Sequence, residues 1–220
     1  MSKKIGVVLA GCGVFDGAEI HESVLTLLAL DRAGATAVCL APDVAQAHVV
    51  NHLTGEPVEG ETRNVLVEAA RIARGNISDL AGVTAADLHG LVFPGGFGAA
   101  KNLCTFAFDG PEGEIHPDVR RLIQEVHAAR KPIGLCCIAP ALAAFALGGE
   151  GVELTIGNDA ATAAGLEKLG AQHVDKPVTE AHEDPARKVV TAPAYMYGEA
   201  RISEVATGIE KVVNTVVAWA

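Results

Sequence analysis

With 220 residues, half of them hydrophobic, the chain can bury a core without disulfides or a structural metal, and its length suits one α/β domain spanning residues 1–220. Its 17 basic residues against 27 acidic ones give a formal net charge of -10, and no block of Lys or Arg is present. The composition therefore disfavours binding to nucleic acid or to an anionic membrane.

Short runs rich in Val, Ile and Leu alternate with longer Ala-, Leu- and Glu-rich segments of helical spacing, the pattern of repeated βαβ units. This pattern predicts strands near residues 4–10, 35–41, 90–93, 132–136 and 188–191, with 173–178 a weaker candidate. It predicts helices near residues 18–33, 62–71, 117–129, 139–147, 160–169 and 199–219. The more polar segment 43–76 is predicted to be a surface excursion. Together these elements indicate a mainly parallel sheet with helices on both faces.

Lys3 and Lys4 precede an apolar run that is followed by Cys12, an order of residues that resembles a bacterial lipoprotein signal. Its apolar run, 5–10, is shorter than the roughly 7–15 residues of a signal h-region, and a buried strand explains it better. The turn after it, GCGVFDGAEI, resembles a dinucleotide-binding loop, but Asp16 stands where G-x-G-x-x-G needs its third glycine. We therefore favour a simple strand-to-helix turn.

A second glycine-rich turn, FPGGFGAAKNL at residues 93–103, follows the predicted strand 90–93, where ligands gather in open α/β sheets. The backbone N–H groups of Gly95 and Gly96 are unhindered by side chains and could face a developing oxyanion. A tight turn that needs a positive φ explains the two glycines equally well. Both interpretations stay open on the sequence alone.

The stretch KPIGLCCIAPAL, residues 131–142, places two cysteines between a predicted strand and a predicted helix. Cys137 falls in the bend and Pro140 suits the first turn of the helix, as in a nucleophile elbow. The helix N terminus would favour the Cys137 thiolate and lower its pKa. Cys136 would point to the opposite side as a buried, inert thiol. The strict G-x-S/C-x-G form is absent, so a structural Cys137 is the alternative.

The first predicted helix offers a carboxylate partner for this thiol. Glu19 and Glu22 lie three apart on one helical face, near the sheet edge where the Cys137 loop should emerge. His21 lies between them, and His173 and His182 are too far along the chain to place by spacing. Ordinary first-turn acids, stabilised by the helix dipole, explain both glutamates without any catalytic role.

The segments GCGVFDGAEIHE, PGGFGAAKNL and GLCCIAPAL, in this order, resemble the PfpI-like superfamily of cysteine α/β proteins, which includes the Parkinsonism-associated deglycase-like proteins. The resemblance is to the ElbB-type isoprenoid-biosynthesis glyoxalases and extends to NHLTGE (51–56), ETRNVL (61–66), LTIG (154–157) and TAPAYM (191–196). It implies a single PfpI-like domain with a flavodoxin-like three-layer sandwich, similar to class I glutamine amidotransferases. It also implies a homodimer.

The same resemblance implies roles for individual residues. Cys137 would be the nucleophile, and Glu22 would be a carboxylic acid that shares a proton with it. The N–H of Gly95 or Gly96, together with that of Ile138, would contact the oxyanion. No metal and no cofactor are implied.

Two departures from the superfamily pattern narrow the activity. Protease-like members carry His directly after the nucleophile, where this chain has Ile138, and other members place a His at the position of Gly157-Asn158. Peptidase activity is therefore disfavoured, and so is amidotransferase activity, which needs a downstream His-x-Glu. The thiol would rely on Glu22 alone, or on a His such as His21 or His173.

We thus expect a cofactor-independent glyoxalase that converts a small aldehyde substrate, glyoxal or methylglyoxal, to glycolate or lactate through a Cys137 hemithioacetal. The alternative is a non-enzymatic redox sensor or small-molecule binding protein, in which an oxidised Cys137 is held by Glu22. Five cysteines without a C-x-x-C pair favour reduced thiols and a cytoplasmic location.

Overall fold

A computed structural model describes residues 2–220, which form an α/β sandwich around a seven-stranded sheet. In chain order the strands are β1 (Lys4–Val8), β2 (Thr36–Ala41), β3 (Val50–Asn51), β4 (Glu56–Pro57), β5 (Ile77–Asp79), β6 (Gly90–Phe93), β7 (Ile133–Cys136), β8 (Glu153–Leu154), β9 (Gln172–His173), β10 (His182–Asp184) and β11 (Val189–Ala192). The helices are α1 (Ile20–Arg32), α2 (Val65–Ile72), α3 (Phe97–Lys101), α4 (Phe106–Asp109), α5 (Pro117–Ala128), α6 (Pro140–Leu147), α7 (Ala160–Lys168) and α8 (Ile202–Trp219).

The main sheet has the strand order β10-β11-β7-β6-β1-β2-β5, and every neighbouring pair is parallel except β10 with β11. β6, β7 and β11 are buried along their whole length, as expected for strands covered by helices on both faces. The predicted fold class is confirmed. Because parallel strands end at the same edge, the loops after β1, β6, β7 and β11 meet there.

The five main predicted strands are confirmed with small shifts at their ends. The weaker candidate at residues 173–178 is wrong beyond His173, where β9 ends. The short strands β3, β4, β5, β8 and β10 were not predicted, since two or three residues leave no recognisable alternation.

All six predicted helices are present. α2 begins at Val65 because the Asn64 side chain caps it, accepting from the Val67 N–H at 3.0 Å. α8 begins at Ile202, later than residue 199. The short helices α3 and α4, which follow the Gly95-Gly96 turn, were not predicted.

The surface excursion at residues 43–76 folds as the β3-β4 hairpin and α2, and it packs on the first glycine-rich turn. Asp16 in that turn is buried, and its Oδ2 accepts from the Val50 N–H at 2.8 Å. The Phe15 N–H donates to His52 Nε2 at 3.2 Å. Asp16 thus holds the excursion in place, and the structure gives no support to a dinucleotide loop.

Candidate active site

The bend between β7 and α6 carries Cys137, whose φ of +59° lies in the left-handed region that residues with side chains rarely adopt. Its N–H donates to the Ala192 carbonyl at 3.0 Å, which ties the bend to the end of β11. The Cys137 side chain lines a cavity, whereas that of Cys136 is completely buried in the core. This is the bend that the sequence predicts for a nucleophile elbow.

Glu22 lies against Cys137 from the first turn of α1 and is completely buried. The Gly95 N–H donates to its Oε2 at 2.7 Å, and the Tyr195 N–H donates to its Oε1 at 3.1 Å. Its carboxyl also interacts with the Cys137 thiol, because each group shifts the pKa of the other. Both oxygens therefore have partners, as burial requires, and the interpretation of Glu22 as an ordinary surface acid is wrong.

The two glycines after β6 contribute different contacts. A Cβ at Gly95 would lie 2.8 Å from Glu22 Oε2 and 2.9 Å from Cys137 Sγ, so a side chain there would separate the thiol from the carboxyl. Gly96 has a φ of +95° and passes against the backbone of Gly17. Its N–H and that of Ile138 lie near the Cys137 thiol and lower its pKa. The turn therefore needs glycine for close approach and for backbone conformation.

Of the expected oxyanion contacts, Gly96 and Ile138 line the cavity. The Gly95 N–H is already donated to Glu22. The structure thus places Gly95 as support for the carboxyl, with Gly96 and Ile138 as the donors that face the thiol.

Burial shapes the protonation of the thiol and the carboxyl. Desolvation, followed by the charge of Glu22, raises the pKa of Cys137 well above its ordinary value, although the N–H groups of Gly96 and Ile138 lower it. The expected lowering of this pKa by the helix N terminus is therefore wrong, since desolvation outweighs the donors. Burial, together with the charge of Glu19, also raises the pKa of Glu22 to about 7, although the N–H groups of Tyr195 and Gly95 lower it. Both pKa values are raised, so near neutral pH the thiol keeps its proton and the Glu22 carboxyl can give or take one.

A cavity of about 350 Å³ opens on the Cys137 thiol. Its apolar wall and its polar groups come from the ends of several elements: Val14, Glu19, Gly96, Phe97, Ile138, Asp159, Thr162, Tyr195 and Met196. Glu22 lies behind Cys137, outside this lining. The cavity is large enough for a small organic molecule, and such a molecule would meet the Cys137 thiol before it could reach Glu22.

The candidate histidines lie away from the thiol. His173 Nε2 accepts from the Ile156 N–H at 3.2 Å, and His182 Nε2 lies 3.1 Å from Glu153 Oε2. His21 is on the exposed side of α1, with Nδ1 3.1 Å from the Tyr195 hydroxyl. Within residues 2–220, no histidine is among those that line the cavity. Glu22 is thus the titratable side chain in contact with the thiol.

Sequence reasoning did not single out Tyr195, Asp159 or Thr162. Tyr195 follows β11 and belongs to the segment TAPAYM that carries the superfamily resemblance, so a signal for it was present. Asp159 precedes α7, and its carboxylate accepts from the Thr162 N–H at 2.7 Å, the usual pattern of a helix cap. The sequence shows the cap but not its position beside the cavity, which depends on the tertiary fold.

Comparison with known proteins places the chain among relatives of similar sequence. It is 53% identical over 202 residues to the mitochondrial glutamine amidotransferase-like class 1 domain-containing protein 3 of Homo sapiens, covering 88% of this chain and 75% of that protein. It is 50% identical to the mitochondrial ES1 protein homolog of Rattus norvegicus, covering 97% of this chain and 82% of that protein. No family model matches.

Solved structures agree with this placement. An isoprenoid biosynthesis protein with an amidotransferase-like domain from Ehrlichia chaffeensis superposes with a TM-score of 0.92 at 38% identity, covering 99% of both chains. A DJ-1 superfamily protein from Agrobacterium tumefaciens shares the fold, with a TM-score of 0.53 at 20% identity over 87% of this chain and 81% of that chain.

The comparisons also correct the expected location. The curated relatives are named as mitochondrial proteins, so the prediction of a cytoplasmic protein is contradicted. In the part of the chain that the structure describes, no helix has the length and apolar character needed to cross a membrane. Together with the shared DJ-1/PfpI fold, the sequence identity shows that the chain belongs to the family of ES1 and glutamine amidotransferase-like class 1 domain-containing protein 3.

Proposed function

We propose that the protein is a cofactor-independent glyoxalase that converts small 2-oxoaldehydes, such as glyoxal and methylglyoxal, to 2-hydroxy acids. The observation that supports it is the pair formed by Cys137, which lines a small cavity, and Glu22, which is completely buried behind it and interacts with the thiol. One group is a nucleophile and the other an acid with a pKa of about 7. That combination suits a reaction in which a thiol adds to a carbonyl and a proton then moves.

The reaction begins when the Cys137 thiol passes its proton to the Glu22 carboxylate, which leaves the sulfur as a thiolate. The sulfur attacks the aldehyde carbon, an S–C bond forms, and the oxygen takes up the proton to give a hemithioacetal. The N–H groups of Gly96 and Ile138, which favour the thiolate in the free protein, would stabilise the developing oxyanion.

Glu22, now a carboxylate, removes the hydrogen of the former aldehyde carbon as a proton and leaves an enediolate. Glu22 returns that proton to the adjacent carbon while the remaining hydroxyl proton moves to the adjacent oxygen, which gives a Cys137 thioester with one carbon oxidised and its neighbour reduced. Water then cleaves the thioester, releasing the 2-hydroxy acid and the thiol. The sequence of steps consumes one water and needs no external oxidant or reductant.

The amidotransferase chemistry suggested by the names of the relatives is a weaker candidate. A thiol that hydrolyses glutamine needs a general base to activate it and to protonate the leaving amine. Among residues 2–220, the side chains that line the cavity include no histidine to take that role. The Glu22 carboxyl, which can give and take a proton near neutral pH, fits proton transfer between two carbons better.

The test is incubation of the purified protein with methylglyoxal, without glutathione or added metal, while lactate is measured per Cys137. The proposal predicts many molecules of lactate per site. Formation of a stoichiometric Cys137 adduct without lactate would overturn it and favour the alternative of a non-enzymatic thiol sensor or binding protein.

A further inference from the structure

We propose that the cavity selects carbonyl compounds that carry no negative charge, because Glu19 at its floor and Asp159 at its rim repel anions. The inference rests on the proposed function only in taking a carbonyl compound as the reactant. It adds the substrate class, since glyoxal and methylglyoxal are neutral whereas 2-oxo acids such as glyoxylate are anionic.

Glu19 is the N-cap residue of α1 and is 9% exposed. Its Oε2 accepts from the Glu22 N–H at 2.6 Å, which fixes the carboxylate beside the active pair. The charge of Glu19 already acts on its neighbours, because it raises the pKa of Glu22 and of Tyr195. A ligand anion bound to Cys137 would meet the same field in a partly desolvated site, where charges interact more strongly than in water.

Asp159 contributes a second, weaker repulsion. Hydrogen bonds from Thr162 lower the pKa of Asp159, so its side chain is ionised at neutral pH. It is exposed at the rim of the cavity, where water and salt screen its charge. We therefore assign the larger share of anion exclusion to Glu19.

Cations do not offset these carboxylates inside the cavity. Considering residues 2–220, no Lys or Arg is among those that line it. Lys101 is nearby, with Nζ 5.2 Å from the centroid of the Phe97 ring, but its ammonium donates to the Phe15 carbonyl at 3.0 Å. It is therefore held at the neighbouring turn.

The helix N termini near the cavity would by themselves attract an anion. An N terminus is equivalent to roughly half a positive charge, less than the full negative charge of one carboxylate. At α1 and α7 the capping side chains of Glu19 and Asp159 take up a free N–H group, so each of these ends is occupied by a carboxylate. The donors that remain directed at the thiol are the N–H groups of Gly96 and Ile138, which suit an alkoxide at the reacting carbon.

The test compares two alkylating reagents of nearly equal size, neutral iodoacetamide and anionic iodoacetate. Rates of Cys137 modification are measured by peptide mass spectrometry, and their ratio is divided by the same ratio for glutathione. Since both reagents need the same thiolate, the ratio reports charge selection and cancels any change in thiol reactivity. We expect the neutral reagent to be favoured by about tenfold or more, the discrimination expected from one or two nearby carboxylates.

Glu19→Gln keeps an oxygen for the helix cap and should reduce the preference several-fold, while Asp159→Asn should reduce it less. Glu167→Gln removes the same charge from an exposed position on α7 and serves as the matched control, with no change expected. A wild-type ratio equal to that of glutathione would overturn the inference, and so would a ratio that neither cavity variant alters. Because the readout is alkylation, it stands apart from lactate formation, so failure of the glyoxalase proposal would be seen separately.

Discussion

Cys136 ends a central strand and Cys137 begins the bend that follows it, and a comparison of the two thiols shows which features of the fold set adjacent cysteines apart. Burial raises the pKa of both well above the ordinary value, so desolvation does not separate them. They differ in their surroundings, because Cys137 borders a cavity, interacts with Glu22 and has its pKa lowered by the N–H groups of Gly96 and Ile138, whereas Cys136 is completely buried. Access and a proton partner, more than burial, distinguish the two positions.

Replacement of the two cysteines in turn is the strongest test of the difference between the two positions. Cys137→Ser should reduce lactate formation to the uncatalysed rate, because a hydroxyl beside Glu22 is a far weaker nucleophile than a thiolate. The fold should be retained, which circular dichroism and thermal unfolding check. Equal activity of the two serine variants would show that Cys137 forms no covalent intermediate.

Gly95→Ala should separate the thiol from the carboxyl, since the new methyl group would overlap the Cys137 Cβ and crowd Glu22 Oε2. We expect activity to fall by about 10²-fold, as for a misplaced catalytic group, and stability to fall by roughly 1–3 kcal/mol. Gly82→Ala is the control, because a methyl group there meets open space. Comparable kinetics in the two variants would show that close approach at Gly95 is unimportant.

The pH dependence of stability should reveal the buried carboxyl. The pKa of Glu22 rises on folding from an ordinary 4.5 to about 7, so its contribution is fully present below about pH 4.5 and is lost as the pH rises through 7. The lost contribution is about 3 kcal/mol at 1.36 kcal/mol per unit. Urea unfolding of the wild type and Glu22→Gln at pH 4.5 and pH 8 measures it. If both proteins change in parallel, the pKa of Glu22 is not raised.

Cys136→Ser should have the smallest effect on function and a moderate effect on stability. A hydroxyl in that apolar, completely buried position has no partner group in place, which costs about 1–2 kcal/mol. Lactate formation should stay within about twofold of the wild type, the scale of a small indirect effect. A large loss of activity with unchanged stability would contradict an inert Cys136.

The sequence was sufficient for the main strands, the helices and the position of Cys137, because strong apolar runs and a strand-to-helix bend are local patterns. It was insufficient for the short edge strands. Helical spacing offered both Glu19 and Glu22, and only the superfamily resemblance singled out Glu22, since its burial depends on how α1 meets the turns after β6 and β11. Local patterns favoured the dipole-stabilised surface acid.

The electrostatics of the site were the least accessible to sequence reasoning. A helix N terminus predicted a lowered pKa for Cys137, whereas burial and the adjacent Glu22 raise it. The sign depends on desolvation, a property of the complete packing that cannot be inferred from neighbours in the chain. The proximity of Glu19 and Asp159 was equally inaccessible to sequence reasoning. They cap helices that are far apart in the sequence, and both side chains line one cavity.

The most direct test of the Cys137–Glu22 pair follows both halves of the reaction in one sample of Glu22→Gln. Mass spectrometry measures the methylglyoxal adduct on Cys137, and lactate formation measures proton transfer. Glutamine retains the shape but cannot exchange a proton, so we predict that the adduct forms and lactate production falls by about 10²–10⁴-fold. Lactate production at the wild-type rate would contradict the account, because proton transfer would then not require Glu22.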